Sequence, residues 1–179
     1  EIRKFLLMLG STNFSKKSTF LGRFQLLKSS VRKNNTSAIA IVKSATKMAS
    51  TKTGALMILE RSNNLDFLID TGDQMNIEVT QPILESIFFK NSPLHDGAII
   101  ISNNIIKATR VILPISNQKD IPSHFGLRHR AAIGITEKTD ALAIVVSEES
   151  GQISYINNSK FIIYNNTQEL IEKLEVDLA

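Results

Sequence analysis

Cysteine is absent from all 179 residues, which excludes disulfides and thiolate metal sites and fits a reducing compartment. Tryptophan is absent as well. No apolar run approaches the ~18 residues that a membrane-crossing helix needs, and the Phe5 to Leu9 cluster is far too short. No signal peptide is visible, and a chain beginning at Glu1 reads as an excised piece of a longer protein. Also missing are a Gly-x-x-x-x-Gly-Lys loop, a Gly-x-Gly-x-x-Gly turn and a Gly-x-Ser-x-Gly elbow. Those absences argue against P-loop ATPases, protein kinases, dinucleotide oxidoreductases and serine hydrolases.

What is present is an ordinary globular composition, 42% hydrophobic and 21% charged, sufficient for one domain with a sizeable core. Charge is unevenly spread. Residues 1–53 hold eleven of the 21 basic residues and one of the 17 acidic ones, while the remainder is mildly acidic. A cationic segment of this kind suits a nucleic-acid arm or a stretch lying against anionic lipid. Interleaved aromatics are few (Phe14, Phe20, Phe24) and no nucleic-acid motif occurs, so no nucleic-acid partner is expected.

Periodicity supplies the elements. Glu1 to Leu9 reads as a helix end, and Phe20, Leu21, Phe24 and Leu27 as a short helical stripe. Ala38, Ile41, Val42, Ala45, Met48 and Ala49 fall at helical spacing behind the capping residues Asn34 to Ser37. Gly54 to Glu60 reads as a buried strand, and Phe67 to Ile69 as a short strand pairing back on it. Thr80-Gln81-Pro82 opens a helix whose inner face is Ile83, Leu84, Ile87 and Phe88. A strand follows over Ala98 to Ser102, a hairpin loop at Asn103-Asn104, and a return strand from Ile105 to Leu113. His124 to Lys138 reads as helical, although Gly134 weakens it. Ala141 to Val146 is apolar on both faces and belongs at the sheet centre. A hairpin around Asn157-Asn158 and a closing helix from Asn166 to Leu178 complete the order. The pattern predicts an α+β (mixed α/β) domain with a central mixed, largely antiparallel sheet flanked by helices.

Three polar clusters sit at element ends. His95-Asp96-Gly97 lies at the mouth of a strand, where a residue without a side chain lets a ligand or a backbone approach. Arg128-His129-Arg130 concentrates positive charge, and guanidinium forks match phosphate. Ser147-Glu148-Glu149 follows the strongest strand. Carboxylates with a histidine suit a hard or borderline cation, and paired arginines suit phosphate. A metal-nucleotide site needs both sets.

Pro93-Leu94-His95-Asp96-Gly97-Ala98, Arg128-His129-Arg130-Ala131-Ala132 and Val146-Ser147-Glu148-Glu149-Ser150-Gly151, in this order, closely resemble the diadenylate cyclase family. The likeness runs from about Ala38 to Tyr155 and is nearest to the membrane-anchored bacterial cyclases. It implies an enzyme that condenses two ATP into cyclic di-AMP with release of two pyrophosphates, across a face-to-face homodimer. It implies a divalent metal, Mn²⁺, Mg²⁺ or Co²⁺, held by His95, Asp96 and Glu149. It implies catalytic roles for Asp96, Gly97, Ala98, Arg128, His129 and Arg130, with Asp96 activating the 3′-hydroxyl. Nucleotide contacts would come from Asp96, Gly97, Leu113, Leu127, Arg128, Ser147 and Glu148. Residues 1–35 would then be a basic helical juxtamembrane segment, and 36–179 the catalytic domain, at the cell membrane and facing the cytoplasm. Two positions depart from the family's pattern. Leu127 stands where threonine is usual, and Ile112 where an aromatic often stacks on adenine.

Overall fold

The computed structural model describes residues 36–118, 121–122 and 125–179. The readings placed on residues 1–35, and the expected helix start at His124, lie outside them.

Helix α1 (Ala38–Ser50) starts at Ser37, whose hydroxyl accepts the Ala40 N–H at 3.2 Å. The Ser37 N–H in turn donates to Asn104 Oδ1 at 3.0 Å, tying this helix to a distant hairpin. Strand β1 (Ala55–Leu59) follows, then the one-turn helix α2 (Asp66–Ile69) and strand β2 (Asp73–Glu78). Helix α3 (Gln81–Phe88) carries Pro82 in its first turn. Strands β3 (Ala98–Ser102) and β4 (Ile105–Val111) form a hairpin, and helix α4 (Leu127–Thr136) leads into β5 (Leu142–Val146). Strands β6 (Ile153–Asn157) and β7 (Lys160–Ile162) and helix α5 (Thr167–Leu178) close the chain.

Among the described residues seven strands form one sheet, in the order β2-β4-β3-β1-β5-β6-β7. Only β1 and β3 run parallel; the other neighbours are antiparallel. This is the expected mixed sheet. β1, β3 and β5 are buried at every position. Side-chain alternation sends Met57, Leu59, Ile99, Ile101, Leu142 and Ile144 to one core, packed with α1, α3 and α5. Leu56, Ile58, Ile100, Ala143 and Val145 point to the other, packed with α2 and α4. Strands covered on both sides read as unbroken apolar runs, which explains their legibility. β5 sits one strand from the centre, which β1 occupies.

Four local expectations change. Phe67 to Ile69 is part of helix α2, because the Asn64 side chain accepts the Asp66 N–H and starts a turn there. The second loop of the hairpins is Asn158-Ser159, since Asn157 pairs with Lys160. Both residues of that loop have positive φ (49° and 63°), as do Asn103 and Asn104 (51° and 64°), the geometry of type I′ turns. Thr80 occupies its N-cap position without a side-chain cap bond. β4 ends at Val111, two residues short of Leu113.

At the far end of the sheet from β2, helix α5 is pinned to β6 by the Tyr155 hydroxyl, which donates to the Asp177 carboxylate. Burial, followed by that hydrogen bond, pushes the Tyr155 phenol far above its usual range. An unfolded tyrosine ionises near pH ~10, whereas this one keeps its proton in the fold. Its contribution to stability is therefore full below about pH 10 and falls as pH rises further. Tyr155→Phe is expected to cost about 1–2 kcal/mol near neutrality. The gap to wild type should narrow in urea titrations repeated at about pH 11; an unchanged gap would contradict the assignment.

Candidate active site

β1 and β3 begin, and β4 and β5 finish, at one end of the sheet. The pairings Ala55 with Val146, Ala98 with Val111 and Asp73 with Thr109 bring five adjacent strand ends into line there. The loops leaving those ends enclose an open cleft of about 870 Å³. That size falls within the ~300–1,000 Å³ typical of small-molecule sites. His95, Asp96, Gly97, Ala98, Leu113, Leu127, Arg128, His129, Ser147, Glu148 and Glu149 all line it. The three polar clusters thus meet in one place.

Arg130 does not line the cleft. Two residues along a helix turn a side chain about 200° away, so Arg128 and Arg130 cannot face the same wall. Arg128 faces inward and pairs with Glu148 at 2.8 Å. Its Nε is buried with no partner among the described residues. His129 is buried at the wall; its Nε2 lies 3.2 Å from Ser154 Oγ and its ring stacks on Phe125 at 4.4 Å. Phe125 stacks in turn on Phe161 of β7 at 4.6 Å. His129 therefore anchors the first turn of α4, and with it Arg128, to the β6–β7 hairpin.

The loop before β3 is built around Ser92. Its hydroxyl accepts the Leu94 N–H, and its carbonyl accepts both the His95 N–H and the His95 ring at Nδ1, the latter at 2.6 Å. A carbonyl has no proton to give, so Nδ1 is the donor and Nε2 of the neutral ring keeps its lone pair. Asp96 beside it is exposed. Ser147 uses its hydroxyl to receive the Glu149 and Ser150 N–H groups, which holds the carboxylates of that turn at the rim. Leu113 is almost fully buried, whereas Leu127 and Ile112 are each 72% exposed and offer apolar surface to the cleft.

The sequence reading missed part of this site. Thr71, Gly72 and Asp73 line the cleft, as does Arg110, which pairs with Asp73 at 3.2 Å. Thr71 Oγ1 accepts the Ile112 N–H at 3.1 Å and so shapes the apolar wall. Gly54 lies directly beneath the Arg128–Glu148 pair, where a Cβ would come within 2.7 Å of the guanidinium. In all, the lining carries Arg110 and Arg128 against Asp73, Asp96, Glu148 and Glu149. Such an acidic balance calls for added positive charge if an anionic ligand is to enter. Among the described residues there is no group of three His, Asp or Glu side chains arranged to hold a metal ion.

The sequence profile of the family described as DisA bacterial checkpoint controller nucleotide-binding matches residues 42–161. The chain is 47% identical over 111 residues to the diadenylate cyclase CdaS of Bacillus thuringiensis, covering 62% of this chain and 55% of that protein. It is 42% identical over 138 residues to the cyclic di-AMP synthase CdaA of Bacillus subtilis, covering 77% of this chain and 50% of that one. It therefore spans about half the length of the curated relatives it matches. A crystal structure of DacA from Staphylococcus aureus, a double cysteine mutant, superposes with a TM-score of 0.76 at 36% identity, over 79% of this chain and 94% of that one. A structure described as a hypothetical membrane spanning protein from Bacillus cereus superposes with a TM-score of 0.67 at 43% identity, over 70% and 61%. Among the described residues no helix is long and apolar enough to cross a membrane.

Gly97 adopts φ +99°, and a Cβ there would meet the Arg110 backbone at 2.8 Å. Gly97→Ala is expected to destabilise the fold by about 1–3 kcal/mol or more, read by chemical denaturation. A change within about 0.5 kcal/mol would show that the loop relaxes freely.

Proposed function

The chain belongs to the diadenylate cyclase family, and we propose that it joins two ATP molecules into cyclic di-AMP with release of two pyrophosphates. The observation that carries this reading is the convergence of His95-Asp96, Arg128 and Ser147 to Glu149 on one cleft of nucleotide size. In each half-reaction a ribose 3′-oxygen forms a bond to the α-phosphorus of the other nucleotide. The bond from that phosphorus to the bridging oxygen breaks, pyrophosphate leaves, and the hydroxyl proton passes to Asp96. Arg128 contacts phosphate, and His129 holds Arg128 in place through its buried anchor. Arg130 lies off the cleft as a single copy forms it, so Arg128 is the guanidinium of this motif that reaches the nucleotide of its own protomer. The exposed apolar surfaces of Leu127 and Ile112, with Leu113 behind them, receive the adenine by burial rather than by stacking or a hydroxyl contact.

The residues present suit a divalent cation, Mn²⁺, Mg²⁺ or Co²⁺. His95 offers Nε2 and Asp96 an exposed carboxylate, and the acidic cleft lacks the positive charge that a triphosphate requires. His95 and Asp96 would hold it, with Glu149 contributed by a second copy. When bound, it would offset phosphate charge and ease ionisation of the attacking hydroxyl. Two copies meet face to face in this reading, because each nucleotide must be both nucleophile and target. The basic first third is read as lying beneath a membrane, with the catalytic domain in the cytoplasm.

Incubation with ATP and Mn²⁺ followed by chromatography is expected to yield cyclic di-AMP. Asp96→Asn should lower the rate at least ~100-fold with folding intact. ATP binding without product, or full activity in that variant, would overturn the reading. A separate expectation concerns Gly54. Its alanine variant should displace the Arg128–Glu148 pair and reduce turnover about ten- to a hundredfold, while the urea midpoint moves little. Equal activity would mean that the pair's position is not critical.

A further inference from the structure

We propose that Arg110 is a substrate-binding residue that takes hold of the phosphate chain of the nucleoside triphosphate, and that Asp73 parks it when the cleft is empty. The inference rests on the function proposed above and adds a residue that neither the sequence motifs nor that reading contain.

Backbone strain is the first ground. Six non-glycine residues have positive φ among the described residues, and five of them lie in turns. Arg110, at φ +55°, is the exception, since it stands inside strand β4. A long side chain has no local reason to prefer the left-handed region, and holding it there costs free energy. The strain arises at a bulge. Between the pairs Ala98–Val111 and Ile100–Ala108, β4 places two residues, Thr109 and Arg110, against the single Ile99 of β3. The neighbouring Thr109 hydroxyl is buried with no hydrogen-bond partner among the described residues, a second cost at the same spot.

The bulge is also clamped. Gly97 packs on one side, where a Cβ would sit 2.8 Å from the Arg110 carbonyl carbon. Gly72 packs on Thr109, where a Cβ would sit 2.3 Å from its carbonyl oxygen. Two loops have given up their side chains so that this backbone can be gripped. The result is a rigid root for a side chain that leads into the cleft. The root lies against Gly97, next to Asp96, and so beside the centre where the new phosphodiester forms.

Stability does not account for this arrangement. Among the described residues the guanidinium pairs with Asp73 alone, at 3.2 Å, and both side chains are about half exposed, 52% and 51%. Ion pairs so wetted contribute little. A pair of that kind is easily exchanged, and a phosphate oxygen is a stronger partner than a solvated carboxylate. Arg110 and Arg128 then approach the substrate from two walls, each held by one carboxylate until nucleotide arrives.

The test compares ligands and variants in the full chain with Mn²⁺, by calorimetry with a non-hydrolysable ATP analogue and with adenosine. Arg110→Ala is expected to weaken the analogue about ten- to a hundredfold and leave adenosine unchanged, with KM for ATP rising in step. Asp73→Asn, which frees the guanidinium, should bind the analogue as well as wild type or better. Arg110→Gly removes the strain and should melt higher than wild type while still losing analogue affinity. Unaltered analogue affinity in Arg110→Ala overturns the proposal, as does equal weakening of adenosine. So does an Arg110→Gly variant that melts lower yet binds normally. Wild type that forms no cyclic di-AMP would instead end the functional reading, whatever Arg110 does.

Discussion

The alignment of strand ends around β1 is the constraint on which the site depends. β1 is buried on both faces and pairs parallel to β3 and antiparallel to β5. A slip of one residue on either side would turn whole rows of Ile, Leu and Val from one core to the other. The two cores therefore hold the register, and the register decides that Ala98, Val111 and Val146 finish or begin at the same level. Residues near positions 95, 128 and 148 meet because apolar side chains far behind them fit in only one way. Catalysis by positioning requires such a frame, since the reacting groups must be fixed before substrate arrives.

Against that rigid frame the site itself is built from compromises. An open cleft with more carboxylates than guanidiniums is poorly disposed to a polyanion on its own. The same imbalance suits a cation-assisted reaction, in which the bound charge is supplied with the substrate. Arg110 and Arg128 each rest on a carboxylate, so that neither guanidinium stands unpaired in the cleft. The strained bulge at Arg110, and the glycines on both sides of it, add a cost that the exposed Asp73 pair does not offset. Local departures from ideal geometry of this kind concentrate where a protein acts rather than where it only folds.

Much of the fold was legible in the residues. α1 and α5 showed their helical stripes and their capping groups, Ser37 and Asn166. β1, β3 and β5 showed unbroken apolar runs because both their faces are covered. β2 was not legible. It is an edge strand with five of its six residues exposed, so no alternation marks it. With β2 went Thr71, Gly72 and Asp73, and the role of Arg110, whose nearness to Asp73 comes from pairing across β2 and β4. Phe67 to Ile69 looked like a strand because a three-residue apolar run carries no period, and the Asn64 turn decided in favour of a helix.

By itself, the sequence determined the class of fold, the family and the polar clusters at His95-Asp96, Arg128-His129 and Ser147 to Glu149, since short-range pattern and motif suffice for these. Only the tertiary structure decided that Arg128 enters the cleft while Arg130 does not, a matter of helix phase at one wall. Only it supplied the partners through which His129 anchors that turn, Ser154 and Phe125. Gly54, Gly72 and Gly97 acquire meaning from what lies against them, which is the backbone or side chain of residues far along the chain. Contacts across such separations are set by packing of the whole sheet, and no local stretch of residues encodes them.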